Sequence, residues 1–173
     1  MFEIMFETGA KFSPDRVYRY RLWRIWDRQK GIVLFIGLNP STADENVNDP
    51  TIRRCIRFAI DWGYGGMLMG NIFAYRNTYP ETLKICNVDP IGIENDIELH
   101  AMNKETNQTV LCWGNGGIYK GRGLEVEKMF PDALTFGYTK QAQPFHPLYL
   151  AKDTVLMPSH YTYLLKKEGL HEI

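Results

Sequence analysis

Four short segments hold the side chains best suited to chemistry. They are Asn39, Ser41 and Asp44 within Gly37-Leu38-Asn39-Pro40-Ser41-Thr42-Ala43-Asp44, then Asn71 with Arg76, then Asn115, and finally His146. An amide can position a water or read the edge of a ring, because it both donates and accepts. A histidine can donate to an oxygen that gains charge as a bond breaks. Asp44 could act as a base. Gly37 has no Cβ, so a ligand could come close to the backbone where the chain turns. Asn39, His146 and Asp44 are therefore the catalytic candidates. Gly37, Pro40, Ser41, Asn71, Arg76 and Asn115 are the candidates for holding a substrate.

Each segment follows an apolar run. Ile32 to Ile36 is continuous, as a strand buried on both faces requires. Met67 to Ala74, Thr109 to Trp113 and Ala133 to Tyr138 read as further strands. Between them, helices are expected from Asp49-Pro50 to Gly63, over Ile91 to Lys104, and over Gly123 to Phe130. Asp49 suits an N-cap, Pro50 suits the first helical position, and Ile52, Cys55, Ile56, Ala59 and Ile60 recur at helical spacing. Ile93, Ile97, Leu99 and Ala101 are expected to face inward from the next helix. Pro80 to Leu83 could start a short turn, and Pro158 to Leu165 a last helix. This alternation predicts an α/β fold: a three-layer α/β/α sandwich around a four-stranded parallel sheet. In such a sheet the carboxyl ends share one edge, so the four polar groups should meet in one cleft.

The segment before the first strand is basic and aromatic. Arg16, Arg19, Arg21, Arg24, Arg28 and Lys30 interleave with Tyr18, Tyr20, Trp23 and Trp26. Tyr18 to Arg21 alternates at strand period, whereas Leu22, Trp23, Ile25 and Trp26 fit a helical turn. Arginine stems packed on aromatics would make it a solvated face. Alternatively Arg19, Arg21 and Arg24 would face phosphates, which guanidinium groups bind bidentately. Met1 to Gly9 could form an edge strand. Residues 1–31 are read as an extension packed on a single domain spanning 1–173.

Structural readings stand beside the chemical ones. Asn39-Pro40 could be a turn, Asn71 a buried amide tying two strands, His146 a satisfied loop histidine and Asp44 a loop cap. Trp113 reads as core.

Composition narrows the classes. The chain has 173 residues, 45% hydrophobic and 23% charged, with a formal net charge of +0, so overall charge does not advertise nucleic acid. No apolar run approaches a membrane span, and no leader pattern opens the chain. Cys55, Cys86 and Cys112 lack pairing or zinc spacing, which suits a reducing cytoplasm and no metal. A Gly-rich lysine loop and a dinucleotide fingerprint are both missing, so no cofactor is expected.

The motifs taken together resemble known families. Gly37-Leu38-Asn39-Pro40-Ser41 resembles the first motif of the uracil-DNA glycosylase superfamily, Gly-Ile-Asn-Pro-Gly in its mismatch-specific uracil and thymine branch. Gly70 to Thr78 is similar to that branch's Thr-Asn-Leu-Val-Pro-Arg-x-Thr segment. Leu111-Cys112-Trp113-Gly114 and Phe145-His146-Pro147-Leu148 resemble the Leu-Trp-Gly and His-Pro-Ser-Pro-Leu segments of the classical branch. Ser41 stands where the first motif has glycine, and His146-Pro147-Leu148-Tyr149 lacks the Ser-Pro of the classical segment. Over a longer stretch, Tyr20-Arg21-Leu22-Trp23-Arg24-Ile25-Trp26, Asp49-Pro50-Thr51-Ile52-Arg53-Arg54-Cys55 and His146 to Leu150 resemble the family designated domain of unknown function 1643. The glycosylase resemblance implies hydrolysis of an N-glycosidic bond in DNA or a nucleotide. Asn39 would place the water, Asn71 would read the pyrimidine and His146 would stabilise the leaving base. It implies nucleic acid or a nucleotide as partner. Two other readings remain: a module that binds a nucleotide or modified base without turnover, and a small-molecule hydrolase using Asp44.

Overall fold

A computed structural model describes residues 6–160. Strand β3 (Ile32–Gly37) lies at its centre, and Val33 to Ile36 have no exposed surface. It pairs in parallel with β4 (Gly66–Asn71) on one side and β5 (Gln108–Leu111) on the other. β5 pairs in parallel with the two-residue β6 (Leu134–Thr135). Antiparallel strands extend both ends. β2 (Arg19–Ile25) lies beside β4, β1 (Glu7–Phe12) beside β2, and β7 (Met157–Pro158) beside β6. The sheet is seven-stranded and mixed, in the order β1-β2-β4-β3-β5-β6-β7.

This corrects the expected four-stranded, all-parallel sheet. The segment read as an extension supplies two strands, so the strand period of Tyr18 to Arg21 decides over the helical pattern that follows it. β2 keeps register with β4 from Leu22 opposite Met69 to Ile25 opposite Gly66. A mixed signal hid it: the alternation lasts only four residues, and the apolar residues after it also fit a helical turn.

Alternation along β3 sends its side chains to two cores. Val33 and Phe35 pack with Met67 and Met69 against helix α1 (Pro50–Asp61), through Ile52, Cys55, Phe58 and Ala59. Leu34 and Ile36 pack with Leu68 and Leu111 against helices α2 (Asn95–Glu105) and α3 (Arg122–Met129), through Leu99, Met102 and Val126. Helices thus cover both faces. Short 3₁₀ segments run over Pro80–Lys84 and within Gly114–Gly121, the latter broken by a kink at Tyr119 and Lys120.

The phase of α2 differs from expectation. Ile93 and Ile97 are 92% and 71% exposed, while Asn95, Leu99 and Met102 are buried. Asn95 sets that phase: its Nδ2 donates to the carbonyls of Asn71 (2.8 Å) and Ile72 (3.3 Å), at the end of β4. Two buried carbonyl bonds outweigh two isoleucines, since an unmet buried carbonyl costs about 1–3 kcal/mol. The strand expected over 133–138 is regular only at Leu134 and Thr135, with an isolated bridge from Tyr138 to Pro144, because Gly137 turns the chain with φ +125°. Of the helix expected over 158–165, Pro158 belongs to β7 and residues beyond 160 lie outside those described. Residues 1–5 of the edge strand expected over 1–9 also lie outside them. No helix among the described residues is long and apolar enough to cross a membrane.

Leu34 sits in the middle strand with no exposed surface. Leu34→Ala should lower unfolding free energy by about 2–5 kcal/mol, the usual range for such cavities, read by urea denaturation.

Candidate functional site

The loop from Leu38 to Asp49 joins the carboxyl end of β3 to α1, and it contains no regular structure. The carbonyls of Leu38, Pro40 and Val47 take backbone N–H groups, whereas those of Ser41, Ala43 and Asp44 have no backbone donor and need others. Arginines supply them. Arg19 Nη1 donates to Ala43 O at 2.9 Å. Arg24 Nη2 donates to Asp44 O at 2.7 Å and Val47 O at 3.3 Å, while its Nε donates to Asn48 Oδ1 at 2.8 Å. Arg76 Nε donates to Ser41 O at 3.2 Å. Asp44 completes the loop by accepting from the backbone N–H of Asn46 and Val47 at 2.9 and 2.8 Å. Those two bonds hold its carboxyl below the usual carboxylate range.

Beneath this loop a cleft of about 400 Å³ opens at the carboxyl ends of β3 and β4. Asn39, Asn71 and His146 all line it, together with Gly37, Ser41 and Arg19. Of the four segments expected to converge, three therefore meet here. A Cβ on Gly37 would stand 2.6 Å from Met69 Cε and 3.1 Å from Asn71 Nδ2, so the absent side chain leaves the floor to the Asn71 amide.

Hydrogen bonds fix the polarity of each group. Asn39 Nδ2 donates to Asn77 O (2.8 Å) and Pro40 O (3.1 Å). Both its protons are thereby engaged, which leaves Oδ1 as the acceptor offered to a ligand. Asn71 is oriented the opposite way. Its Oδ1 accepts from Arg19 Nη2 at 3.3 Å, and a guanidinium can only donate, so Nδ2 is the free donor. His146 Nδ1 accepts from the Leu148 backbone N–H at 3.2 Å, which places the proton of the neutral ring on Nε2. Burial pushes the His146 pKa down, and the nearby Asp49 carboxylate partly opposes that shift.

Other candidates lie elsewhere. Asp44 and Arg76 are tied into the loop and do not line the cleft. Asn115 accepts from Thr139 Oγ1 at 2.6 Å, outside the cleft. Pro40 is buried beside it and its carbonyl takes the Asn77 N–H at 2.9 Å. Of the arginines read as phosphate ligands, Arg21 pairs with Glu98 and Glu105, Arg24 is a buried clamp, and only Arg19 reaches the cleft.

Thr51 and Asn77 line the cleft without having been expected there, and so does Asp49, which the sequence offered as a helix cap and, with Asp44, as a possible acid–base carboxylate. Asp49 was legible as a cap, and it does accept from Ile52 N at 2.9 Å. The missed signal was position: a helix that starts just after a strand places its first turn on the rim where ligands bind. Among the described residues, no group of three or more His, Cys, Asp or Glu side chains is gathered to hold a metal ion.

A family model described as a protein of unknown function (DUF1643) matches residues 19–148, which include every residue of the cleft named above. No curated protein and no solved structure matches the chain.

The lowered pKa of His146 means the folded state favours the neutral ring. Its contribution to stability is complete above the ordinary histidine value of 6.5, and is lost as pH falls through that value toward the folded one. Between pH 7.5 and 5.5 the wild type should therefore lose more thermal stability than His146→Gln. Asp49→Asn should lower the His146 pKa further, read by NMR titration of the ring.

Proposed function

The chain belongs to the DUF1643 family, and from its own residues we propose that the cleft binds a nucleobase-sized ring and hydrolyses its N-glycosidic bond. The observation that carries this is the meeting of Asn39, Asn71 and His146 in one cleft with opposite, fixed polarities. An acceptor beside a donor suits the N–H and C=O edge of an oxo-pyrimidine. A volume near 400 Å³ accommodates a ring and its sugar.

In this reading, Asn39 Oδ1 accepts a hydrogen bond from water and turns its lone pair toward the sugar carbon. The C–N bond breaks, and its electron pair leaves with the base. His146 Nε2–H and Asn71 Nδ2–H donate to the base oxygens as charge builds there. An amide cannot take the proton of the water; Asp49 is the carboxylate of the cleft able to accept it. The glycosylase resemblance is supported by motif order, and by the parallel pairings β4-β3, β3-β5 and β5-β6 among the strands that precede those motifs.

A nucleotide or a single strand suits the surface better than a duplex. Arg16, Arg21 and Arg28 are each paired with glutamates, so these positive charges are already partnered. The hydrolase reading through Asp44 loses its base, because that carboxylate is held by the loop backbone away from the cleft. Binding without turnover has one observation in its favour: the group facing the water position is an amide.

Incubation with uridine and thymidine nucleotides and with uracil-containing single- and double-stranded DNA, followed by chromatography of free base, separates these readings. Turnover is expected, with Asn39→Ala and His146→Ala each slower by about 100-fold while remaining folded. Binding of a nucleotide without release of base would leave the binding module. Neither binding nor release from any of these substrates would end the proposal.

A further inference from the structure

Arg19 is a buried cation without an anion. The residue is 2% exposed, and it makes no ion pair with any described carboxylate. Its partners are neutral: the Ala43 carbonyl at 2.9 Å and Asn71 Oδ1 at 3.3 Å, while Nε has no hydrogen bond at all. Asp49, the carboxylate that acts on it most strongly, caps α1 instead, and Arg24 and Arg76 add positive charge nearby. A buried charge left uncompensated is costly, and such groups gather at functional sites.

The charge leads to one place. Arg19 donates to the oxygen of the Asn71 amide, whose nitrogen faces the cleft beside Gly37. Donation to the carbonyl end of an amide polarises its N–H, so the two bonds strengthen each other. We infer that Arg19 and Asn71 form a relay that tunes the cleft for an oxyanion, so that its preferred ligand carries or develops negative charge on the oxygen facing Asn71. Arg19 is a positioning residue here and Asn71 makes the contact. This deepens the proposed function, on which it rests for the shape of the ligand. The relay also accounts for asparagine at this position. An aspartate would pair with Arg19 internally, improve the fold and cancel the field that the ligand needs.

Asn71→Asp therefore carries the test. Arg19→Met is a weaker one, because it also removes the clamp on Ala43. Asn71→Asp should melt about 2–4 °C above wild type, the shift expected for a gain of about 1 kcal/mol in a chain of this size. Calorimetric titration should show wild type binding 5-nitrouracil, whose ring is ionised at neutral pH, about tenfold more tightly than uracil, as one charge-assisted bond provides. Asn71→Asp should lose that preference. Melting at or below the wild-type temperature would overturn the uncompensated charge. Equal binding of the two pyrimidines by wild type would overturn the relay and leave the pyrimidine reading standing. If neither pyrimidine binds, the proposed function falls and acetate at constant ionic strength decides the relay. Acetate that raises the melting temperature of wild type but not of Asn71→Asp supports it, and equal effects on both overturn it.

Discussion

A loop of about a dozen residues with no internal ladder must satisfy its carbonyls before anything else at this site can be placed. Arg19, Arg24 and Arg76 do so from β2 and from the segment after β4. Each guanidinium is a planar donor with no accepting atom, so it holds carbonyls without competing for the loop's own N–H groups. The Asp44 turn and the Asp49 cap then fix the path into α1. Asn39 projects from this loop, and its amide is locked by the Asn77 and Pro40 carbonyls. Remove the arginines and the carbonyls of Ser41, Ala43 and Asp44 would have to find water or move, while Val47 would keep only the Asp44 N–H at 3.1 Å. The geometry of the cleft is in this sense an arginine–carbonyl geometry.

The antiparallel strands have a role that follows from this. A four-stranded parallel core would end at β4, with its edge open. β2 covers that edge and delivers Arg19 and Arg24, both buried. Their charge was visible in the sequence, but its destination was not. A phosphate-facing patch and a set of internal clamps have the same composition. What separates them is which side of the strand each residue faces, and that depends on register with β4 and on the irregularity against β1 between Arg19 and Arg21, which breaks the alternation there.

Legibility followed the strength of local signals. β3 and α1 were readable to within a residue, because a fully apolar run and an Asp-Pro start admit few alternatives. The convergence of Asn39, Asn71 and His146 was also readable, because strand ends in a parallel sheet share one edge. Asp44 and Asn115 were not separable from the residues that line the cleft, since both follow the right strands. Their side chains turn to the Asn46 and Val47 amides and to Thr139 through contacts that no spacing rule encodes. α2 was found, but its rotation was not, because a polar Asn95 governs it where hydrophobic spacing would point to Ile93 and Ile97.

That same Asn95 ties two distant parts of the molecule into one mechanical unit. Its amide grips the carbonyls of Asn71 and Ile72, where β4 ends at the pocket floor, while the helix it begins presents Ile97 to the outside. A slide or roll of α2 has to break this grip or drag the floor with it. The outer surface of the helix is thus a lever on the Asn71 amide at the floor of the cleft.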